Sequence, residues 1–481
     1  MKLLAITRSV VLLALALTAS IVTLHTASAA VDTHKVPQQI HLAFAGAKTG
    51  AGMTVSWATT DDVVDSAVWI GTSLETLTKA TTNVSSKSYY ADNGYSLFHH
   101  HATVSGLTPH TKYYYKVGSL ASTELQSQVN TFTTARNAQD TAEFEIAIYG
   151  DGGDGENSVD TIKYVNGLAG KVDFIYHIGD ISYADDDFLR QGKLLDFGYE
   201  EIWNNWTNSL APVMNTMPYM VVVGNHEAEC HSPACSDSNY RLNSLGNYTA
   251  YNTRFKMPSV ESGGALNMWH SFNHGPIHFT SVSTESDFVN APTNQFTNRV
   301  KNGNFGDQLE WLEADLEVAA KNRADVPWLI VGMHRPMYHA GDADTTGNPK
   351  KGTQPQYIQA AFEELFIKYG VDVVLAGHEH SYERHVPIAR GKPVMTGVSA
   401  DKKTYVNPQA PVHIITGAAG NAEGHTEEPD APAAWSAVFD YEHYGISKVK
   451  VSLTKLEWSF VASADGSVLD NFVMTKERAS C

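Results

Sequence analysis

The sequence predicts two unlike parts in series, an all-β N-terminal part and a larger α/β part, and three observations lead there. Residues 37 to about 135 form short strand-like runs with turn residues at regular spacing and no helical periodicity. Beyond the polar linker RNAQDTA, Arg136 to Ala142, β-branched runs alternate with amphipathic helical patterns. Five of the later runs end directly at Asp, Asn or His, residues that bind metals. The expected domains are 30–136 and 143–481.

Taken in order, the chain begins with Lys2 and Arg8 ahead of the apolar run VVLLALALTASIV, followed by Ala27-Ser28-Ala29. This predicts a secretory signal peptide over 1–29 and an extracellular product. The run is short for a membrane anchor and ends in Thr and Ser. Within the β part, TVSW (Trp57) and LTPHTKYYYKVG (Leu107, Pro109, Tyr113, Val117) resemble a fibronectin type III sandwich with its tyrosine corner. His99 to His101 read as a polar strand face and not as a ligand set. Further on, Leu309, Leu312, Leu316 and Ala319 form one helical stripe. Ile358, Phe362, Leu365 and Phe366 form another, stopped by Gly370. Both read as core. After about 392, VHIITG, YGISKVKVS and KLEWSFVAS alternate as strands expected to complete the sheet in antiparallel fashion.

The five strand ends carry the chemistry. They are EFEIAIYGDGG (Asp151), VDFIYHIGDISY (Asp180, Tyr183), MVVVGNHE (Asn225, His226), WLIVGMH (His334) and VDVVLAGHEH (His378, His380). In open α/β sheets, residues just past the carboxyl ends of strands line the functional crevice. Asp151, Asp180, Tyr183, Asn225, His334, His378 and His380 are too many ligands for one tetrahedral ion. If Asp180 bridges, each of two metals receives four protein ligands and keeps room for water and substrate.

G-D-x-G (Asp151), G-D-x-x-Y (Asp180, Tyr183), G-N-H-E (Asn225), V-x-x-H (His334) and G-H-x-H (His378, His380) resemble, in order and approximate spacing, the blocks of the purple acid phosphatases. These are binuclear calcineurin-like metallophosphoesterases. Most of that superfamily carries a His where Gly153 stands, and Tyr183 takes its place. A phenolate is a hard donor suited to a ferric ion. The resemblance implies Fe(III) on Asp151, Asp180, Tyr183 and His380. It implies a divalent ion (Zn, Fe(II) or Mn) on Asp180, Asn225, His334 and His378. It also implies an αββα two-sheet catalytic sandwich. Two such ions carry about +5, and two carboxylates and a phenolate leave about +2 to draw a phosphate dianion. The implied reaction is hydrolysis of phosphomonoesters at acid pH by a metal-activated hydroxide, with His226 contacting phosphate.

One departure concerns the leaving group. Plant-type members have a His pair about nine and ten residues after the ligand matched to His334, where this chain has Ala343 and Asp344. Ala343 has nothing to donate, Asp344 could serve only with a raised pKa, and the nearest histidine is His339. Alternatives on the same metals are a phosphodiesterase or a nucleotide- or phytate-specific hydrolase, with Lys350 and Lys351 as a weak lure for polyanions. A non-enzymatic adhesion protein would not keep a full ligand set.

Composition bounds the partners. The 481 residues carry a net charge of −18, which argues against nucleic acid and anionic membranes and leaves small phosphate esters. Sequons at Asn83, Asn205 and Asn247 fit a glycosylated secreted protein. Cys230 and Cys235 bracket HSPA directly after G-N-H-E and predict a small disulfide loop. A C-x₄-C zinc clip would need a second pair. Cys481 is left over, for an intermolecular bridge or as a free thiol.

Overall fold

The computed structural model describes residues 32–92, 94–189, 195–344, 346–429 and 432–477. The expected signal peptide and Cys481 lie outside these residues.

The N-terminal part is a sandwich of two four-stranded antiparallel sheets. One runs Gln38–Ala45, Gly52–Thr59, Phe98–Ser105, Ser85–Lys87; the other runs Asn130–Thr133, Lys112–Ser119, Ser66–Gly71, Thr78–Thr81. Leu42, Val55, Trp57, Tyr115, Val117 and Phe132 fill the space between them. Tyr113 returns its hydroxyl to accept the Thr108 N–H at 3.0 Å, the tyrosine corner expected from the sequence. The histidine run departs from expectation, because His99 and His100 are buried and not a solvated polar face. His100 stacks on Trp57 and meets Thr59 Oγ1 at 2.7 Å. Burial pushes the pKa values of His100 and His101 down to about 4 and about 3, so both are neutral packing residues.

The remainder is built on two seven-stranded sheets. The first orders Tyr219–Val222, Ile175–Ile178, Phe144–Tyr149, Gly445–Val451, Lys455–Ala462, Val468–Thr475, Thr404–Val406. The second orders His270–His274, Ile277–Ser281, Trp328–Gly332, Val373–Ala376, Val412–Thr416, Tyr382–His385, Ser436–Asp440. Their inner faces meet through aromatic contacts such as Tyr176 on Phe279 at 5.5 Å. On its outer face the first sheet turns His177 toward Trp206 of helix Tyr199–Ser209. Helices Gln308–Lys321 and Gln354–Tyr369 cover the second sheet, burying Leu312, Leu316, Ile358, Phe362 and Phe366. Each such side chain taken from water contributes about 1.5–3 kcal/mol. The layers are therefore helix, sheet, sheet, helix.

One expectation needs correction. Val412–Thr416 lies in the second sheet, antiparallel to Tyr382–His385 but parallel to Val373–Ala376, and the strands from Gly445 onward join the first sheet antiparallel. The polar segment Arg136 to Ala142 is anchored at its start. Arg136 is buried, with Nε donating to Asp173 at 2.5 Å and Nη1 to Asp140 at 2.8 Å.

The two parts share one core. Phe44 of the sandwich packs on Phe174 and Phe272. Elsewhere along the same seam, Arg254 is buried, donating from Nε to Tyr89 (2.8 Å), from Nη2 to Glu200 (2.8 Å) and from Nη1 to Gln39 (3.3 Å). Glu200 also accepts from Tyr89 and Tyr95.

Candidate metal centre

All five blocks sit where strands of the two sheets end. Asp151 follows Phe144–Tyr149, Asp180 follows Ile175–Ile178, and Asn225 follows Tyr219–Val222. His334 follows Trp328–Gly332 and His378 follows Val373–Ala376. The chain turns sharply to aim them. Asp151, Asp180, Tyr183 and His378 all hold left-handed backbone, with φ of 61°, 48°, 54° and 68°. For residues other than glycine this costs roughly 1–3 kcal/mol each and persists only where surrounding structure enforces it. Close approach does the rest. A Cβ on Gly179 would lie 2.5 Å from His334 Nδ1, and one on Gly224 or Gly377 would collide with Asp180 or Asp151.

Asp180 is the hub. Its Oδ1 accepts the His226 N–H at 2.8 Å. Its Oδ2 is buried without a hydrogen-bond donor, although it lies 2.8 Å from His334 Nε2. His334 donates from Nδ1 to the Ile178 carbonyl at 3.0 Å, which leaves the Nε2 lone pair facing both Asp180 and Asn225 Oδ1, 3.2 Å away. One ligand atom each of Asp180, His334 and His378 lies within 4.8 Å of the others. The lone pairs of Asp180 Oδ2, His334 Nε2 and Asn225 Oδ1 converge without hydrogen atoms between them, which calls for a cation. A proton is the alternative occupant: burial lowers the His334 pKa, but Asp180 outweighs it and pushes the pKa up to about 10.

The remaining residues form an adjoining group. Tyr183 Oη lies 3.0 Å from His380 Nε2 and 3.2 Å from Asp151 Oδ1. His380 donates from Nδ1 to the Gly424 carbonyl at 2.9 Å, freeing Nε2. Such bonds from the second ring nitrogen fix the tautomer of ligating histidines. Burial, then Asp151, raises the Tyr183 phenol well above its ordinary pKa, so only a strong Lewis acid would ionise it. The donor set, with two carboxylates, three imidazoles, an amide and a phenol, fits two ions sharing Asp180.

His226, expected from the sequence to contact phosphate, and two residues given no role there, Glu227 and Arg335, complete the site. Glu227 accepts from the N–H groups of Asp180, Ile181 and Gly224 at 2.8–3.0 Å, tying two strand ends together. Burial, then Asp180, raises its pKa to about 8. His226 packs its ring, tilted by 34°, against Tyr183 at 4.2 Å, bonds Asp185 through Nδ1 at 2.9 Å and brings Nε2 within 3.9 Å of Asp180 and Glu423. Arg335 donates to His378 Nε2 at 2.9 Å and pairs with Glu285 at 2.8 Å. The available hints were the G-N-H-E motif, which contains Glu227, and the buried acidic run Asp185 to Asp187 two residues past Tyr183.

Among the described residues no hydrogen bond or ion pair joins His339 to the seven candidate ligands, although its neighbour Glu379 stands between His378 and His380 in the chain. His339 Nε2 lies 3.5 Å from both Asp342 and Glu379. Asp344 accepts from Thr346 N–H at 2.7 Å and Oγ1 at 2.6 Å, and these bonds hold its pKa below the ordinary value. Lys350 donates locally to the Gly341 carbonyl. Cys230 and Cys235 form a disulfide with Cα atoms 5.9 Å apart. Asn83 and Asn205 are exposed. Asn247 is half-buried with both amide atoms bonded to the Gly303 backbone, so it fits a glycan badly.

Comparison with known proteins matches the chain in three consecutive stretches. Residues 37–134 match the purple acid phosphatase N-terminal domain, and residues 144–382 match the calcineurin-like phosphoesterases. Residues 410–471 match the iron/zinc purple acid phosphatase-like protein C domain. An acid phosphatase type 7 of Danio rerio is 32% identical over 92% of this chain and 92% of its own length. An acid phosphatase of Aspergillus ficuum is 31% identical over 79% of this chain and 76% of its own. A purple acid phosphatase from yellow lupin (Lupinus luteus) seeds shares the fold, with a TM-score of 0.71 at 24% identity over 92% of this chain and 75% of that one.

Proposed function

Since this chain belongs to the purple acid phosphatase family of calcineurin-like metallophosphoesterases, we propose that it is a secreted acid phosphatase hydrolysing phosphomonoesters at a binuclear iron–divalent metal centre. The main support is the lone-pair cluster around the buried, donor-less Asp180 Oδ2. When bound, the two ions supply Lewis acidity toward phosphate oxygens and activate water. Asp151, Tyr183 and His380 would hold Fe(III), and Asn225, His334 and His378 the divalent Zn, Fe(II) or Mn, with Asp180 shared. Glu227 and the glycine contacts hold those side chains in place before substrate arrives, which is where positioning contributes most to rate. His226, oriented through Nδ1 by Asp185, presents Nε2 to a phosphate oxygen. The 30–136 domain braces the 143–481 catalytic domain.

A disulfide directly after G-N-H-E fits an oxidising compartment, in keeping with a signal peptide over 1–29 and glycans on Asn83 and Asn205. No helix among the described residues is long and apolar enough to cross a membrane.

Metal analysis with a visible spectrum tests the reading. One iron and one divalent ion per chain are expected, with a Tyr183-to-iron charge-transfer colour that Tyr183→Phe bleaches. An iron-replete protein without colour would overturn the tyrosine assignment. A metal-replete protein inert toward every phosphomonoester would overturn the function.

A further inference from the structure

Phe296 is an exposed aromatic in a place where nothing in the core requires one. It is 39% exposed, and a single exposed Phe is ordinary on a protein surface. Two features set this one apart. Its backbone is pinned by a buried carboxylate: Glu229, four residues past Asn225, accepts the Phe296 and Thr297 N–H groups at 3.0 and 2.9 Å and the Thr297 hydroxyl at 2.8 Å. Its ring lies 5.2 Å from that of His226, whose Nε2 faces Asp180.

The ring is also backed. One face of Phe296 stacks on His231 at 4.1 Å and 18° between planes. His231 belongs to the loop closed by the Cys230–Cys235 disulfide and is held between Asp185 (3.3 Å) and Asp186 (3.4 Å). The result is a rigid wall, disulfide loop then imidazole then phenyl ring, along one side of the histidine that faces the metal cluster. Gln295, next to Phe296, receives the Arg335 guanidinium that also bonds His378, so this loop borders the cluster through a second contact.

Resting on the phosphatase reading, we infer that Phe296, backed by His231, forms a leaving-group subsite that favours aryl phosphates over alkyl ones. A phosphate bonded to His226 Nε2 sends its ester substituent along this wall. A planar ring there stacks on an aromatic already fixed in place, without the entropy cost of ordering a loop. A small alkyl group gains little.

The test is equilibrium titration of the full, metal-loaded protein with phenylphosphonate and methylphosphonate, which bind without turning over. The wild type should prefer phenylphosphonate, and Phe296→Ala should lower the phenyl-to-methyl affinity ratio by about 3- to 10-fold. Phe296→Trp, which keeps an aromatic face, should retain the preference and guards against simple loss of the loop. A ratio unmoved in Phe296→Ala, or a wild type without phenyl preference, overturns the subsite and leaves the phosphatase reading standing. A metal-replete wild type that binds neither phosphonate overturns both.

Discussion

The metal crevice and the seam between the two domains both bury charge, and they treat it in opposite ways. In the seam, Arg254 and Glu200 are matched by Tyr89, Tyr95, Gln39 and Asn204 at 2.7–3.3 Å. In the crevice, four of the seven candidate ligands hold left-handed backbone, and Asp180 Oδ2 and Asp186 Oδ2 are buried without a hydrogen-bond donor. A buried charge network that is fully partnered serves the fold. One left short of donors under strain awaits something else to complete it. The difference separates a brace from a binding site using only geometry.

The sharpest way to break that distinction is to remove one ligand and one brace in turn. Asn225→Ala or His334→Ala should lose the divalent ion and roughly 10³-fold in activity, since several kcal/mol of charge stabilisation depend on it. The folded protein should persist. Near-normal turnover with both metals still bound would sink the ligand assignment. Arg254→Met should do the reverse, costing about 3–5 kcal/mol of stability by stranding Glu200, while metal content stays at the wild-type level. A denaturant midpoint unchanged in Arg254→Met would show that the seam is not a brace.

Much of the crevice was legible because its signals are local. A β-branched run, a glycine and then an acid or imidazole are adjacent in the chain, and the strand period places them at the sheet edge. The tyrosine corner was legible for the same reason, spanning only Leu107 to Val117. What could not be read joins distant segments. Glu229 meets Phe296, Arg335 meets His378, and Arg254 meets Tyr89 only after folding, and no periodic pattern marks such pairs. His99 to His101 looked polar because histidine usually is, yet the other domain covers the strand face of His99 and His101, with His101 bonding the Thr253 carbonyl, and His100 on the opposite face stacks on Trp57 inside the sandwich. The parallel course of Val412–Thr416 is likewise set by its neighbour Val373–Ala376 and not by its own residues.

Between these extremes lies His231, a charge shared by brace and site. Burial lowers its pKa, but Asp185 and Asp186 outweigh this and raise it to about 9. A raised folded pKa means stability present below the unfolded value, about 6.5, and lost as pH climbs through about 9. Asp185 is shifted downward despite burial, through His226 and His231, so its share is kept above the ordinary carboxylate range and lost only in stronger acid. The pair is therefore complete in mildly acidic solution. Unfolding free energy should fall between about pH 6.5 and 9 by up to about 3 kcal/mol, and His231→Asn should flatten that slope. An identical slope in the variant would remove His231 from the account.

His226→Ala should lower kcat/KM by about 10- to 100-fold, the worth of a charged hydrogen bond, and by similar factors for alkyl and aryl phosphates if it binds phosphate in both. The smallest expected effect is at His339, and it bears on how this enzyme manages without the plant-type histidine pair. General acid catalysis contributes about 10²–10⁴-fold and weighs most on poor leaving groups, so a true donor at His339 would make His339→Ala slow an alkyl phosphate far more than an activated aryl one. The geometry argues otherwise. His339 is engaged with Asp342 and Glu379, and Asp344, ionised and bonded to Thr346, has no proton to give. His339→Ala should therefore change both substrates by less than about threefold, with the pH profile unmoved. A selective, large loss on the alkyl phosphate would return the donor's role to His339 and extend the working site beyond the strand-end crevice.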